Sequence, residues 1–192
     1  MREAVKAALR GISFVVVLPS IVSFLLRRQF FGRDQALEGS TQTLAQLPGL
    51  IGQYLRRAFL SVALERCASS SVVSFGTIFS KAGARLDENV YVGAGCFLGL
   101  VHLERDVLVG SGVHITSGRH THGTGEASVP IRDQEGTATI VRVGAGSWIG
   151  SGAIVMADVG KNSVVGAGAV VTSPIPDNVV AAGVPAKVIK SR

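Results

Sequence analysis

Two of the four histidines in this chain of 192 residues, His120 and His122, lie in the stretch SGRHTHG at 117–123. Glycines flank the pair, and a regular hydrophobic pattern gives way there to a polar loop. An imidazole titrates at about pH 6.5, so it can take a proton from a hydroxyl near neutrality and return it later. A plain surface turn would leave both rings merely solvated. The alternative nucleophiles, Cys67 and Cys96, are outside this loop, and their spacing fits neither a disulfide framework nor a zinc site. Two irregular cysteines instead point to a reducing compartment. A third chemistry is a metal site: His102 and His120 are 18 residues apart, and His114 is near by. Neutral imidazoles brought together in that way would suit zinc.

What positions the loop is a repeat of six, running over about 70–189. Its inward aliphatic positions read Leu86, Val92, Leu98, Leu103, Val109 and Ile115, then resume at Val143, Ile149, Val155, Val159, Val165 and Val171. Two residues ahead of these stand further small or aliphatic residues such as Val90, Cys96, Val101, Val107 and Val113. A period of six excludes an α-helix, whose repeat is about 3.6. Turns recur too often for simple hairpins, so short strands must wind in a continuous parallel coil, each turn covering the edge of the one about 4.8 Å below. Glycine directly after the aliphatic is expected to serve corners that need unusual backbone angles. His102 and His120 each precede an expected inward position, 103 and 121, and would stack about 5 Å apart on one outer face.

The first 69 residues read differently, giving an N-terminal helical region, 1–69, ahead of a β-domain, 70–192. Residues 12–26, ISFVVVLPSIVSFLL, form an apolar run bounded by Arg2, Lys6 and Arg10 on one side and Arg27, Arg28 and Arg33 on the other. It falls short of the roughly 20 apolar residues of a bilayer span, and Pro19 interrupts it. The small-residue site of a cleaved signal is replaced by Arg27-Arg28. A membrane-dipping or interfacial helix is expected, with a helix packed on protein as the alternative. In the segment 44–65, Leu47, Leu50, Ile51, Tyr54, Leu55, Ala58 and Val62 recur at helical spacing, with Pro48 in the first turn and Arg56 and Arg57 turned away. The net charge of +6 is not gathered into a stripe and is not interleaved with aromatic platforms, which argues against nucleic acid. Basic residues beside an apolar run suit an anionic membrane surface.

The hexads, SGRHTHG, GSWIGSGAIV at 146–155 and VVGAGAVVTSPIPDNVVAAGVPAKVI at 164–189 together resemble the hexapeptide-repeat acyltransferases. The ending is similar to that of galactoside and maltose acetyltransferases, and LPGLIGQYLRRAF is similar to the branch that O-acetylates saccharides in bacterial polysaccharide assembly. The resemblance implies a mainly β fold, a left-handed parallel β-helix with N-terminal α-helical segments. It implies acetyl-CoA as acyl donor without a required metal, a saccharide acceptor, and a homotrimer with the coenzyme in a groove between copies. His120 matches the catalytic histidine, although Arg119 departs from the commonest motif; His122 would orient substrate or ring. The Ser151 amide would meet the oxyanion and the carrier. Ala167 would line the pantetheine path, Thr172 would touch it, and Ser173 replaces a lysine of the galactoside enzyme. Lys187 and Lys190 match basic residues near the nucleotide phosphates, unless they form a solvated tail.

Trp148 would pack at a subunit contact, and the loop 116–139 would reach a neighbouring copy. The sugar-holding asparagine and aspartate residues of galactoside enzymes have no clear counterpart in GCFLGLVHLERD, so a different acceptor is expected, such as a lipid-linked glycan. The expected location is cytoplasmic, on the inner face of the bacterial plasma membrane. Remaining readings are N-acetylation of an amino sugar, a γ-type carbonic anhydrase-like zinc hydratase lacking that family's paired histidines, and a silent scaffold.

Overall fold

The structure, a computed structural model, describes residues 2–192; the side chains of residues 1–3, the flanking Arg2 among them, lie outside that description. Three helices come first: α1 (Arg2–Phe31), α2 (Arg33–Ala45) and α3 (Gly49–Ala63). The apolar run is the middle of α1, which continues through Pro19 rather than ending there. Pro19 is exposed, so the helical hydrogen bond it cannot donate is lost on the open side. Val17, Ile21 and Phe24 form the buried stripe of α1, and Phe24 meets Phe59 of α3 edge to face with centroids 5.6 Å apart. Helix α2 was not anticipated. Its buried positions Ala36, Leu37, Ser40, Thr41, Leu44 and Ala45 have helical spacing, but two of the six are polar and two are alanine, which hides the stripe.

In α3 the expected orientation is reversed in part. Arg56 does not turn away: it is 2% exposed and donates to the carbonyls of Val73, Leu44 and Leu47 at 3.0, 3.1 and 2.6 Å. Leu50 and Ile51 of the apolar face are exposed. The helix presents its C-terminal half, with Phe59, Leu60 and Ala63, to the β-domain and leaves its N-terminal apolar residues open.

The first β-strand starts at Arg66, and the chain from there winds as a left-handed parallel β-helix. Its first coil is β1 (Arg66–Cys67), β2 (Val72–Val73) and β3 (Ile78–Phe79), and the second is β4 (Arg85–Leu86), β5 (Tyr91–Val92) and β6 (Phe97–Leu98). The third is β7 (Val101–Leu103), β8 (Leu108–Val109) and β9 (His114–Ile115), and the fourth is β10 (Val141–Val143), β11 (Trp148–Ile149) and β12 (Ile154–Val155). The fifth has a bridge at Val159, then β13 (Val164–Val165) and β14 (Val170–Val171). A last partial coil has a bridge at Ile175 and β15 (Val179–Gly183), on which β16 (Ala186–Ser191) folds back antiparallel. All twelve inward residues read from the hexads are at most 2% exposed, and they fill the three-sided interior.

Within each coil the inward residue of the first face is followed at intervals of six on the second and third faces, as in Val143, Ile149 and Val155. The corner from the third face to the next coil is the variable one. It is short at Leu98 to Leu103 and at Val155 to Val159, and the excursion 116–140 leaves from the same corner. The two irregular spacings and the loop are therefore one phenomenon.

The glycine directly after the aliphatic has a different role from the one expected. A Cβ at Gly150 would lie 2.5 Å from the Ala167 nitrogen of the next coil, so close approach of stacked backbones excludes a side chain. The left-handed backbone falls two residues later, at Gly152 and its equivalents, where Asn89, Asp106, Asn162 and Asn178 also serve.

Helices close one end of the spiral. The edge that β1–β3 would expose is met by Thr41 on Phe79, Arg56 on Val73, the Ala45 carbonyl on the Gly76 amide, and Asp34 on the Ala82 amide. At the other end β16 covers β15, and Arg192 donates to the Asn162 carbonyl at 3.0 Å, strapping the terminus to a corner.

Candidate functional site

The loop that carries His120 and His122 is tied at a narrow neck. Thr139 N–H donates to the Ser117 carbonyl at 2.8 Å, and Thr137 N–H to the His120 carbonyl at 2.6 Å. Gly136 permits this approach, since a Cβ there would lie 2.1 Å from the Thr121 carbonyl oxygen. Farther out, Gln134 holds the loop together by donating to the carbonyls of Glu126 and Val129 at 2.7 and 2.8 Å. Both imidazoles are exposed, and their rings make no hydrogen bond within the described chain. His120 thus presents two free ring nitrogens on a loop whose root is fixed between the third and fourth coils.

Ser151 and Ala167 belong to another corner, between the second and third faces. They stack there on successive coils, and Lys187 follows, paired with Ala182, which lies against Gly166. Among the described residues the N–H groups of Ser151 and Ala167 donate to nothing, and neither do those of Ala94 and Ser111 on the same corner. A row of amides without acceptors on a small-residue corner, with a cation at its upper end, suits an extended ligand that carries an anionic terminus. Thr172 and Ser173 are on the third-to-first corner, above the neck of the loop. One chain therefore divides the expected residues into two groups. His120, His122, Thr172 and Ser173 go with one corner; Ser151, Ala167 and Lys187 go with the next, and the third face lies between them. Lys190 pairs with Val180, back along the second face. Lys187 and Lys190 are in β16 and not in a loose tail, and neither forms an ion pair among the described residues.

The stacked zinc arrangement does not form. His102 is on the first face with Nε2 3.0 Å from Asp87, and His114 is on the third face against the Phe97 ring at 6.2 Å. Thr121 is exposed and not inward, because the chain has already left the coil at 116. Among the described residues no group of three or more His, Cys, Asp or Glu is placed to hold a metal ion. Burial pushes the thiols of Cys67 and Cys96 up, which keeps both protonated and unreactive near neutrality.

The outward residues of the three faces differ in kind. The first carries the column Arg66, Arg85, His102 and Arg142, interleaved with Glu65, Asp87 and Glu88. The second carries Tyr91, Leu108 and Trp148 in register, with Trp148 51% exposed. The third carries Phe97, His114 and Ile154. The sequence reading missed this contrast, although the residue before each inward position records it.

No family model matches the chain, and no curated protein matches its sequence. Solved structures do match. A hexapeptide-repeat-containing acetyltransferase from Vibrio cholerae superposes with a TM-score of 0.68 at 17% identity, over 82% of this chain and 92% of that one. A galactoside acetyltransferase in complex with coenzyme A gives 0.62 at 23% identity, over 84% of each chain. A maltose O-acetyltransferase from Clostridium difficile 630 gives 0.58 at 21% identity, over 82% of this chain and 87% of that one. The chain spans 58% of the length of the polySia-specific acetyltransferase NeuO. The chain has the fold of these hexapeptide-repeat enzymes.

Proposed function

We propose that the chain is an acetyl-CoA-dependent O-acetyltransferase that acts on a saccharide hydroxyl, works as a homotrimer, and lies on the cytoplasmic face of the bacterial plasma membrane. The observation that carries the chemistry is the pairing of a neck-tied loop bearing two free imidazoles with a small-residue corner of free amides. His120 takes the proton of the acceptor hydroxyl as its oxygen attacks the thioester carbonyl. The resulting oxyanion accepts a hydrogen bond from Ser151 N–H. Collapse of the adduct expels the coenzyme thiolate, which takes the proton from the imidazolium and leaves the acetyl ester on the sugar. His122 orients the ring or the acceptor. Ala167 leaves room for the pantetheine arm, Thr172 and Ser173 line the opposite wall, and Lys187 and Lys190 face the nucleotide phosphates.

The division of these residues between two corners favours a site completed by a second copy, with the loop corner of one chain facing the amide corner of its neighbour. A ring of three copies uses two different patches on each. The apolar outward columns of the second and third faces supply two such patches, while the charged first face suits solvent. On the membrane side, α1 is long and apolar enough to cross a bilayer. It is nevertheless packed by one stripe, Val17, Ile21 and Phe24, against its neighbouring helices, and Arg33, Asp34 and Glu38 of α2 suit water, so an in-plane position fits better than a span.

Incubation of the full chain with acetyl-CoA and a panel of saccharides, amino sugars included, tests this reading. His120→Ala should lower ester formation by roughly 10²–10⁴-fold while calorimetric binding of coenzyme A is retained. Unchanged turnover in that variant would overturn the mechanism.

A further inference from the structure

A second cavity lies away from the loop, where α1 and α3 meet the first two coils. It encloses about 310 Å³, and its wall includes Lys6, Arg10, Tyr54, Arg57, Ser70 and Asn89. Among the described residues, the cations Arg10 and Arg57 face it beside Lys6, and no carboxylate borders it. Arg10 and Arg57 form no ion pair among the described residues, and both are half-buried. The guanidinium of Arg57 is 5.9 Å from the Tyr54 ring centre, which fixes it at the cavity wall. Burial, and then the positive charge of Arg10, lower the pKa of Arg57. Like charges drawn together in a partly dry cleft favour an anion between them.

An apolar slot of about 260 Å³ adjoins this cavity and shares Leu50 and Tyr54 with it. Its walls are hydrocarbon, from Leu9, Ile12, Val16, Ile51 and Leu55. The slot opens on the uncovered side of α1, where Ile12 is 60% exposed, and beside Ile51 at 76%. A free phosphate would use the cations and leave this slot wet. A molecule with an anionic head and a hydrocarbon tail uses both.

We infer that the paired cavity binds the head-group phosphate and the upper acyl chain of an anionic bilayer phospholipid. The phosphate lies between Arg10 and Arg57, with Ser70 as a neutral donor, and the chain follows the slot onto the exposed flank of α1. This rests on the membrane part of the proposed function and is independent of acetyl transfer. Such a lipid would fix the rotation of α1 about its own axis, and with it the direction in which the rigid spiral leaves the membrane.

The test is flotation of the full chain with vesicles of phosphatidylcholine alone and vesicles with about 30% phosphatidylglycerol, at physiological salt. The wild-type chain should bind the anionic vesicles more tightly. Arg10→Gln/Arg57→Gln should lose about thirtyfold in that affinity while keeping its binding to neutral vesicles. Lys161→Gln/Arg132→Gln removes the same charge away from the cavity and should lose little. If both double variants lose equally, diffuse charge explains the binding and the site is overturned. If the wild type does not distinguish the two vesicles, the site falls and the membrane reading stands; if it binds neither, both fall. Should the first variant fail to fold, Arg10→Gln alone carries the same comparison with about a fivefold loss expected.

Discussion

At the scale of single residues, the site depends on what side chains leave open. Ala167 is exposed at a corner where its own amide and that of Ser151 are free, so a larger side chain there would meet no protein and should cost little stability. Ala167→Leu should therefore leave the melting temperature within about 2 °C while weakening coenzyme A binding at least tenfold; calorimetry and a thermal melt check the two halves. The places of His120 in the loop and of Ser151 and Ala167 on one corner were legible because they lie in motifs with fixed offsets from the hexads. The grouping of Thr172 and Ser173 with the loop corner was not, because a linear motif places residues along a groove without saying which corner supplies each. The His102–His120 stack failed for a related reason: its register was counted through a loop that had already left the coil at Thr116.

At the scale of elements, the helical cap depends on Arg56. Its guanidinium joins the end of α2, the α2–α3 turn and β2 through three carbonyls, and burial lowers its pKa. Arg56→Ala leaves those acceptors unmet beside a void and should lower unfolding free energy by about 2–4 kcal/mol, read from urea denaturation. The sequence pattern placed this arginine on the solvent side, since helical periodicity separates polar from apolar positions and knows nothing of unpaired carbonyls at a sheet edge. Helix α2 was hidden by the same blindness: Ser40 and Thr41 are buried because each finds a hydrogen-bond partner, Ala36 and Arg27 for the first and Phe79 for the second. The β-coils were readable almost residue by residue, because two of their three corners keep an interval of six.

At the scale of the whole molecule, two outer faces are apolar and one is charged, which is the asymmetry the proposed ring requires. Trp148→Glu puts a carboxylate in the apolar column between Leu108 and Val164. The variant should remain folded, elute as a monomer on light-scattering chromatography, and lose transfer activity along with assembly. A trimeric, active variant would show that the second face is free. The two ends of the spiral have a separate consequence. Helices seal the first coil and a reversed strand seals the last, so neither seal depends on how many turns lie between. Duplication of about eighteen residues in the middle of the stack would lengthen the shaft and leave both stoppers intact. On the proposed placement at a bilayer, the distance from that surface to the His120 loop would be a quantity that evolution can adjust one storey at a time.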